Sequence, residues 1–441
     1  MSSSEGLDII IVGAGIAGLA CARTLRERHR VRVVEQTRLK TEMGAAIHLG
    51  PNATRLILPW GVDLSESPHV NVIREYSADG TLMAEKQIDP VKQFGSPWLL
   101  NHRITLHREL MRVATTDDGS IPGRPAELIT AARVKSVDTD KAVVELEDGR
   151  RLQGDLVIGA DGIKSVVRSA VLGNKFSAQP SGHSAYRCLV PGEKVLADDE
   201  LKGLLNPTGV TIFLGTDRRV VAYTCRYQGK LMLNIVAAVP DKDLGHVSEE
   251  SWNAPATVEL LMQAFSSFAP RVQRLLSYAN EVSCWQLRDQ DPLESWVKDR
   301  TIIVGDAAHP MLPHLGQGGS QAIEDADMLQ LVLRDLSSSN SSDENIHAAL
   351  QRAFKLRWSR ASICQESSRE QAMGRRSTSA MGVTPLDPLQ ASKVLYSYMG
   401  AEAHAKECEG AASTPSLLPA SLVSEAPASL SSTMLSTAEA S

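Results

Sequence analysis

Residues 301–326 read TIIVGDAAHPMLPHLGQGGSQAIEDA. An apolar run ends at Gly305-Asp306, two prolines and three further glycines follow, and a helical pattern then begins. A core strand that stops with a carboxylate at its tip, and continues through glycines into a helix, builds a loop that can approach a large partner closely. Glycines leave backbone N–H groups unobstructed on such a path.

A second stretch of the same kind lies at the N-terminus. LDIIIV is a short apolar run, GAGIAG breaks it, IAGLACARTLRER has helical spacing and VRVVE resumes a buried strand. Gly13, Gly15 and Gly18 stand where a dinucleotide fingerprint places its glycines: one for the tight turn, one for approach of a pyrophosphate, one for close helix–strand packing. The helix N-terminus adds free N–H groups and partial positive charge. Glu35 follows Gly13 by 22 residues and ends the second strand, where a carboxylate would accept from ribose hydroxyls. The alternative, a glycine-rich turn in an α/β core, leaves Glu35 without a purpose. This fingerprint by itself does not separate NAD from FAD.

The whole chain sets bounds on these readings. Its 441 residues exceed one ordinary domain, and a net charge of −6 with no basic stripe argues against nucleic acid as a partner. Six cysteines are scattered without a CxxC pair, which fits reduced thiols and a cytoplasmic protein. The N-terminal apolar run is cut by three glycines, so no membrane span is expected. RITLHRELMRVA reads as an amphipathic helix and Asp148-Gly149 as a hairpin turn. GVTIFLG, RVVAYTCRY and KLMLNIVAAVP read as an antiparallel sheet without intervening helices. The division expected is a nucleotide-binding part over 1–175, an inserted antiparallel lobe over 176–285, and a second nucleotide-binding part with closing helices over 286–404. A Ser/Ala/Pro-rich disordered tail is expected over 405–441.

GDAAHPMLPHLGQGGSQAIEDA, GDLVIGADGIKSVVR (residues 154–168) and the fingerprint occur together and in this order, over most of residues 7–400. In this the chain resembles the class A flavoprotein monooxygenases of the salicylate and para-hydroxybenzoate hydroxylase type, especially the fungal enzymes acting on phenolic polyketides. The resemblance implies a discontinuous Rossmann-like α/β FAD domain with an inserted antiparallel substrate sheet, and NAD(P)H as a transient cosubstrate. It implies that Asp306 bonds the ribityl chain, and that Pro313, Gly316, Gly318 and Gly319 lie against the flavin ring. Asp161 would serve FAD and the passing nicotinamide, and Arg103, rather than Arg108, would be the arginine near the flavin. EMGAAIHLGPNA (residues 42–53) resembles the family's ring-contacting loop, with Ala46 where glycine is commoner.

The resemblance further implies a flavin C4a-hydroperoxide that oxygenates a phenolic ring, best as its phenolate. Arg187 could pair with a phenolate or carboxylate, because guanidinium stays charged when desolvated. Tyr223 could hydrogen-bond the same oxygen, and strand periodicity puts Arg226 on the opposite face from it. Each has a plainer alternative, Tyr223 as a packing residue and Arg187 as an ion-pair partner; His48 is a further pocket candidate. His309 and His314 stand five apart across two prolines, which is not a helical metal-ligand arrangement, and no metal is expected. A flavin epoxidase, a flavin-binding redox module without oxygenase activity and a dehydrogenase remain alternatives. A monomer and a homodimer both remain open.

Overall fold

The computed structural model of the protein describes residues 6–39, 46–173, 178–204, 208–244, 253–372, 383, 385–386 and 388–410. The N-terminal apolar run forms the strand Asp8–Val12, in which Ile9, Ile10 and Ile11 are fully buried. Continuous burial suits a parallel strand covered on both faces, which is why the run does not alternate. It sits in a six-stranded sheet ordered Val297–Lys298, Thr301–Ile303, Leu156–Gly159, Asp8–Val12, Arg30–Val34, Glu127–Ile129. All pairs are parallel except the short edge strand Val297–Lys298. Val12 is in register with Gly159, and Gly159 with Ile303. Three strands far apart in sequence therefore end side by side at one edge.

The helix Ile16–Leu25 follows the first strand, and its small residues Ala17, Gly18, Ala20 and Ala22 are buried. It packs against the helix Gly318–Leu333, where Thr24 donates to the carbonyl of Ala326 at 3.2 Å. The expected helix over 103–114 runs Arg103–Thr115, and the Asp148-Gly149 hairpin joins strands Val143–Leu146 and Arg151–Gln153.

The second sheet differs from its expectation in three respects. Its eight strands run in the order Asn253–Pro255, Asn280–Asp289, Gln179–Pro191, Lys230–Pro240, Arg219–Tyr227, Gly209–Leu214, Val72–Ser77, Leu82–Gln87. The last two come from the first segment and one strand continues to Asp289, so the sheet overruns the 176–285 boundary. Gly209–Leu214 pairs with Val72–Ser77 in parallel, so the sheet is not purely antiparallel. The borrowed strands pair the N–H and C=O groups that Gly209–Leu214 would otherwise leave bare. Helices do intervene: Val258–Ala264 and Pro270–Ser277 bury Leu261, Val272, Leu275 and Leu276 in the apolar cluster that contains Phe213, Ile235 and Tyr186. They cover one face of the sheet and leave the other for the nucleotide lobe. Residues 405–410, expected in a tail, are helical, because Ala401–Gly410 is a helix with Ala401 and Ala405 buried; the rest of that expectation, residues 411–441, lies outside the described residues.

Behind the Asp306 loop lies a buried ion network. Arg357 donates from Nε to Asp325 at 2.9 Å, Arg360 from Nε to Glu324 at 2.6 Å, and Asn52 to Glu324 at 2.7 Å. Asp325 also accepts from the Gly305 N–H at 2.9 Å and from His309 Nε2 at 2.7 Å, which ties the loop to the helix behind it. Burial alone would raise both carboxyls. For Glu324, Arg360 and Arg357 more than offset it; for Asp325, His309 and Arg357 do, so both lie below the ordinary range. Depressed carboxyls add stability above their unfolded values, and it is lost only as pH falls through the folded ones. Arg357→Met takes one guanidinium from two buried carboxylates, which keep Arg360 and His309 as partners, and is expected to cost about 3 kcal/mol at pH 7. Without the guanidinium the carboxyls move up, so the deficit should shrink as the pH is lowered toward 5. Urea unfolding at both pH values measures this, and an unchanged deficit contradicts it.

Candidate active site

The loops at the shared strand edge touch one another and form one site. At the first, Gly13 has φ +103°, and a Cβ there would lie 2.4 Å from the Ala160 carbonyl oxygen. A Cβ on Gly18 would lie 1.9 Å from the Gly13 carbonyl oxygen, so both glycines are required by packing. Gly15 differs, because a Cβ there meets nothing within 4 Å. It faces an open cradle at the helix N-terminus, whose first N–H groups have no intrahelical partner. The Ala14 peptide is held from both sides: its N–H donates to Glu35 at 3.0 Å and its carbonyl lies 2.6 Å from His107 Nε2. Glu35 also accepts from the Thr37 N–H at 2.8 Å and keeps lone pairs for a ribose hydroxyl.

The second loop carries Asp161, whose carboxylate accepts from the Val166 N–H at 2.7 Å, from the Val167 N–H at 3.2 Å and from the Ser165 hydroxyl. It holds the start of the helix Val166–Leu172. From that helix the buried Arg168 donates to the carbonyls of Asp306 at 3.2 Å and Ala307 at 3.1 Å, lashing the second loop to the third. In the third, Gly305 has φ +57°, and a Cβ there would lie 2.8 Å from the Ala17 methyl. The Asp306 loop thus sits directly on the first turn of the Ile16–Leu25 helix. Asp306 is exposed, yet burial raises its carboxyl above the ordinary range, partly offset by His309, Arg103 and Arg168. These two properties agree if the carboxylate lines an open slot enclosed by protein, and a Cβ on Gly318 would lie 4.0 Å from it.

The remaining expected residues distribute around this slot. Arg103 is exposed at the start of its helix and its charge reaches both Asp306 and Arg187, so it lies near both the Asp306 loop and the second sheet; Arg108 is also exposed. Pro313 is exposed at the start of a short turn to Leu315, and Gly316 closes that turn with φ +61°. Gly318 and Gly319 open the long helix, and a Cβ on Gly319 would lie 2.9 Å from Ile47 Cδ1. Ala46 is buried and its N–H donates to Asn234 at 3.0 Å, so that N–H is engaged by the second sheet. Gly44 and Ala45 lie outside the described residues. His309 and His314 have separate partners, Asp325 and Arg219.

Register fixes what the second sheet presents to the slot. Arg187 and Val221 both face Val236, and Leu189 and Tyr223 both face Asn234, so these six share a face. Arg187 and Tyr223 lie on either side of the strand Lys230–Pro240, two strand spacings apart and offset by two residues, about 12 Å between Cα atoms. That is room for one aromatic ring between their side chains. Burial lowers the Arg187 guanidinium, which packs over the Trp285 ring at 5.9 Å and has no carboxylate partner among the described residues. Burial raises the Tyr223 hydroxyl, and Arg187 partly offsets this. Arg226 is exposed on the opposite face, as its periodicity predicts.

His107, Arg168, Asn234 and the Glu324–Arg360 pair were not singled out in the sequence. Arg168 ends a quoted motif, but its two carbonyl partners lie 138 and 139 residues away, which no local pattern shows.

The glycine cradle, the ribose-spaced acid and the slot-lining carboxylate fit a flavin dinucleotide: Gly15 and the helix N-terminus for the pyrophosphate, Glu35 for the ribose, Asp306 for the ribityl chain. The family described as FAD binding domain matches residues 6–352. The chain is 34% identical over 377 residues to the FAD-dependent monooxygenase cfoG of Aspergillus candidus, covering 83% of this chain and 85% of that one. It is 33% identical to hispidin-3-hydroxylase of Neonothopanus nambi, over 75% of this chain and 81% of that one. A solved salicylate hydroxylase substrate complex superposes with a TM-score of 0.69 at 25% identity, covering 91% of this chain and 98% of that one. The chain belongs to the FAD-binding domain family, and it is an FAD-dependent monooxygenase of the aromatic hydroxylase type.

Two glycine variants separate cradle from packing. Gly15→Ala should fold as the parent does and bind FAD at least about tenfold more weakly, since its methyl enters only the pyrophosphate space. Gly18→Ala should cost about 1–3 kcal/mol of stability. FAD titration and thermal unfolding of each check this, and equal behaviour of the two contradicts it.

Proposed function

We propose that the protein hydroxylates an electron-rich phenol, of the carbonyl-bearing polyketide kind, held between Arg187 and Tyr223. The observation that supports this is a half-buried guanidinium with no carboxylate partner among the described residues, on the sheet face it shares with Tyr223. Such a group wants an anion, and a phenolate is one that fits an otherwise apolar face of Leu189, Val221, Val210 and Ile212. The relatives' names, hispidin-3-hydroxylase among them, support an aromatic substrate.

When bound, FAD supplies the oxygen-transfer chemistry after reduction by NAD(P)H, and this chain supplies position and charge. One oxygen atom of dioxygen enters the ring and the other leaves as water, with two electrons from the nicotinamide. Arg187 favours loss of the phenol proton and orients the ring through its fixed oxygen. Tyr223, whose hydroxyl stays protonated, donates to that oxygen or to a neighbouring carbonyl. Charge on the phenolate oxygen raises electron density at the ortho and para carbons, so holding that oxygen selects which carbon faces the flavin. The apolar floor excludes water from the reacting face.

No helix among the described residues is long and apolar enough to cross a membrane, and the six cysteines are unpaired. We read the protein as intracellular on that thiol usage.

Phenols should stimulate NAD(P)H oxidation with dioxygen uptake, and the product should gain one oxygen by mass. Oxygenation of non-aromatic compounds alone would remove this reading. Arg187→Met should lower kcat/KM by about 10²–10³. It should also move the acid limb of the pH–rate profile to higher pH by about one to two units, because loss of the guanidinium raises the bound phenol's pKa. An unshifted limb would place Arg187 outside the substrate site. Tyr223→Phe should leave FAD binding unchanged and reduce kcat/KM by about 10²-fold or more.

A further inference from the structure

His48 stands where the second sheet, the cofactor loop and an aromatic wall meet, and nothing above uses it. Its Nδ1 accepts the Trp98 indole N–H at 3.0 Å. Indole N–H can only donate, so Nδ1 carries the lone pair and the neutral ring holds its proton on Nε2. That Nε2 fills the space in front of Gly316, since a Cβ at Gly316 would lie 1.6 Å from it. The ring stands edge-on to Tyr223, with centroids 6.4 Å apart and planes at 86°. Trp98 in turn packs on His48 at 5.3 Å and on Tyr396 at 5.5 Å, so the imidazole is braced from behind. Burial lowers His48 to about 4, and a second proton would set two N–H donors against each other at Nδ1.

We propose that His48 is a positioning residue for the cofactor loop: its Nε2 edge, fixed in one tautomer by Trp98, is the seat on which Gly316 closes. The seat sets how far the turn Pro313–Leu315 and Gly316 advance toward the second sheet, and hence the height of the flavin ring above Tyr223. Glycine at 316 is required twice, by its φ of +61° and by the imidazole occupying its side-chain space. The inference rests on the flavin ring lying along Pro313–Gly319; it does not rest on the substrate being a phenol.

The test is FAD binding to the apoprotein, read by titration and by the flavin absorption bands. Gly316→Ala is expected to weaken FAD by about tenfold or more, and adding His48→Ala should restore the part of that loss due to the imidazole, because contacting residues couple. If the two losses simply multiply, the seat is wrong. A second pair keeps the test informative should Gly316→Ala fold poorly. Glutamine places an amide nitrogen near the position of Nε2 and asparagine falls short of it. His48→Gln should therefore bind FAD within about threefold of the parent and His48→Asn about tenfold more weakly. Equal affinities for the two would overturn the Nε2 assignment. A failed cycle with phenol-dependent oxygenation intact removes the seat alone, and a failed phenol screen leaves the cycle readable.

Discussion

Parallel register of three strands is the constraint from which the rest follows. Val12, Gly159 and Ile303 lie side by side, so the turns after them must emerge at one edge whatever their separation in sequence. Ligands of open parallel sheets bind at that edge, outside the carboxyl ends of the strands. The sheet brings the turns near each other, and specific contacts close them. Gly305 rests on the Ala17 methyl, Gly13 on the Ala160 carbonyl, and Arg168 grips the carbonyls of Asp306 and Ala307. A cofactor with a pyrophosphate at one end and a flat ring at the other can then span turns that lie far apart along the chain.

A slot of this kind has to be stiff, and its stiffness comes from buried charge. Asp325 fixes the Gly305 N–H and His309, while Arg357 and Arg360 hold Asp325 and Glu324 in the interior. Such a network adds little net stability over an apolar core, but breaking it is costly, so it pins geometry. The second sheet uses the opposite device. Arg187 lies half-buried on a largely apolar face over the Trp285 ring, with no carboxylate partner among the described residues, and the proposed substrate anion would supply its charge partner.

The nucleotide lobe was legible because its signals are local. Gly13, Gly15, Gly18 and Glu35 fall within one strand–helix–strand unit, and their spacing encodes the turn and the helix start. The Asp306 stretch carries its own proline and glycine punctuation. The second sheet was less legible. Val72–Ser77 and Leu82–Gln87 belong to it through pairing with a strand more than a hundred residues later, and no periodicity reveals a partner. The helices Val258–Ala264 and Pro270–Ser277 were passed over amid β-rich runs. The expected tail takes in residues 405–410, the second half of the helix Ala401–Gly410, because alanine, which favours that helix, also fills the low-complexity stretch after it. The side chains that hold the site, Arg168, His107, Asn234 and Trp98, act across long separations and carry no motif that names their partners.

The most direct measurement is a crystal structure of the protein grown with FAD. The account predicts one dinucleotide per chain, its pyrophosphate at Gly15 over the helix N-terminus and its ribityl chain on Asp306. The ring should lie along Pro313–Gly319, facing Arg187 and Tyr223. A flavin bound elsewhere, or an Asp306 loop lifted off Ala17 to admit it, would contradict the account.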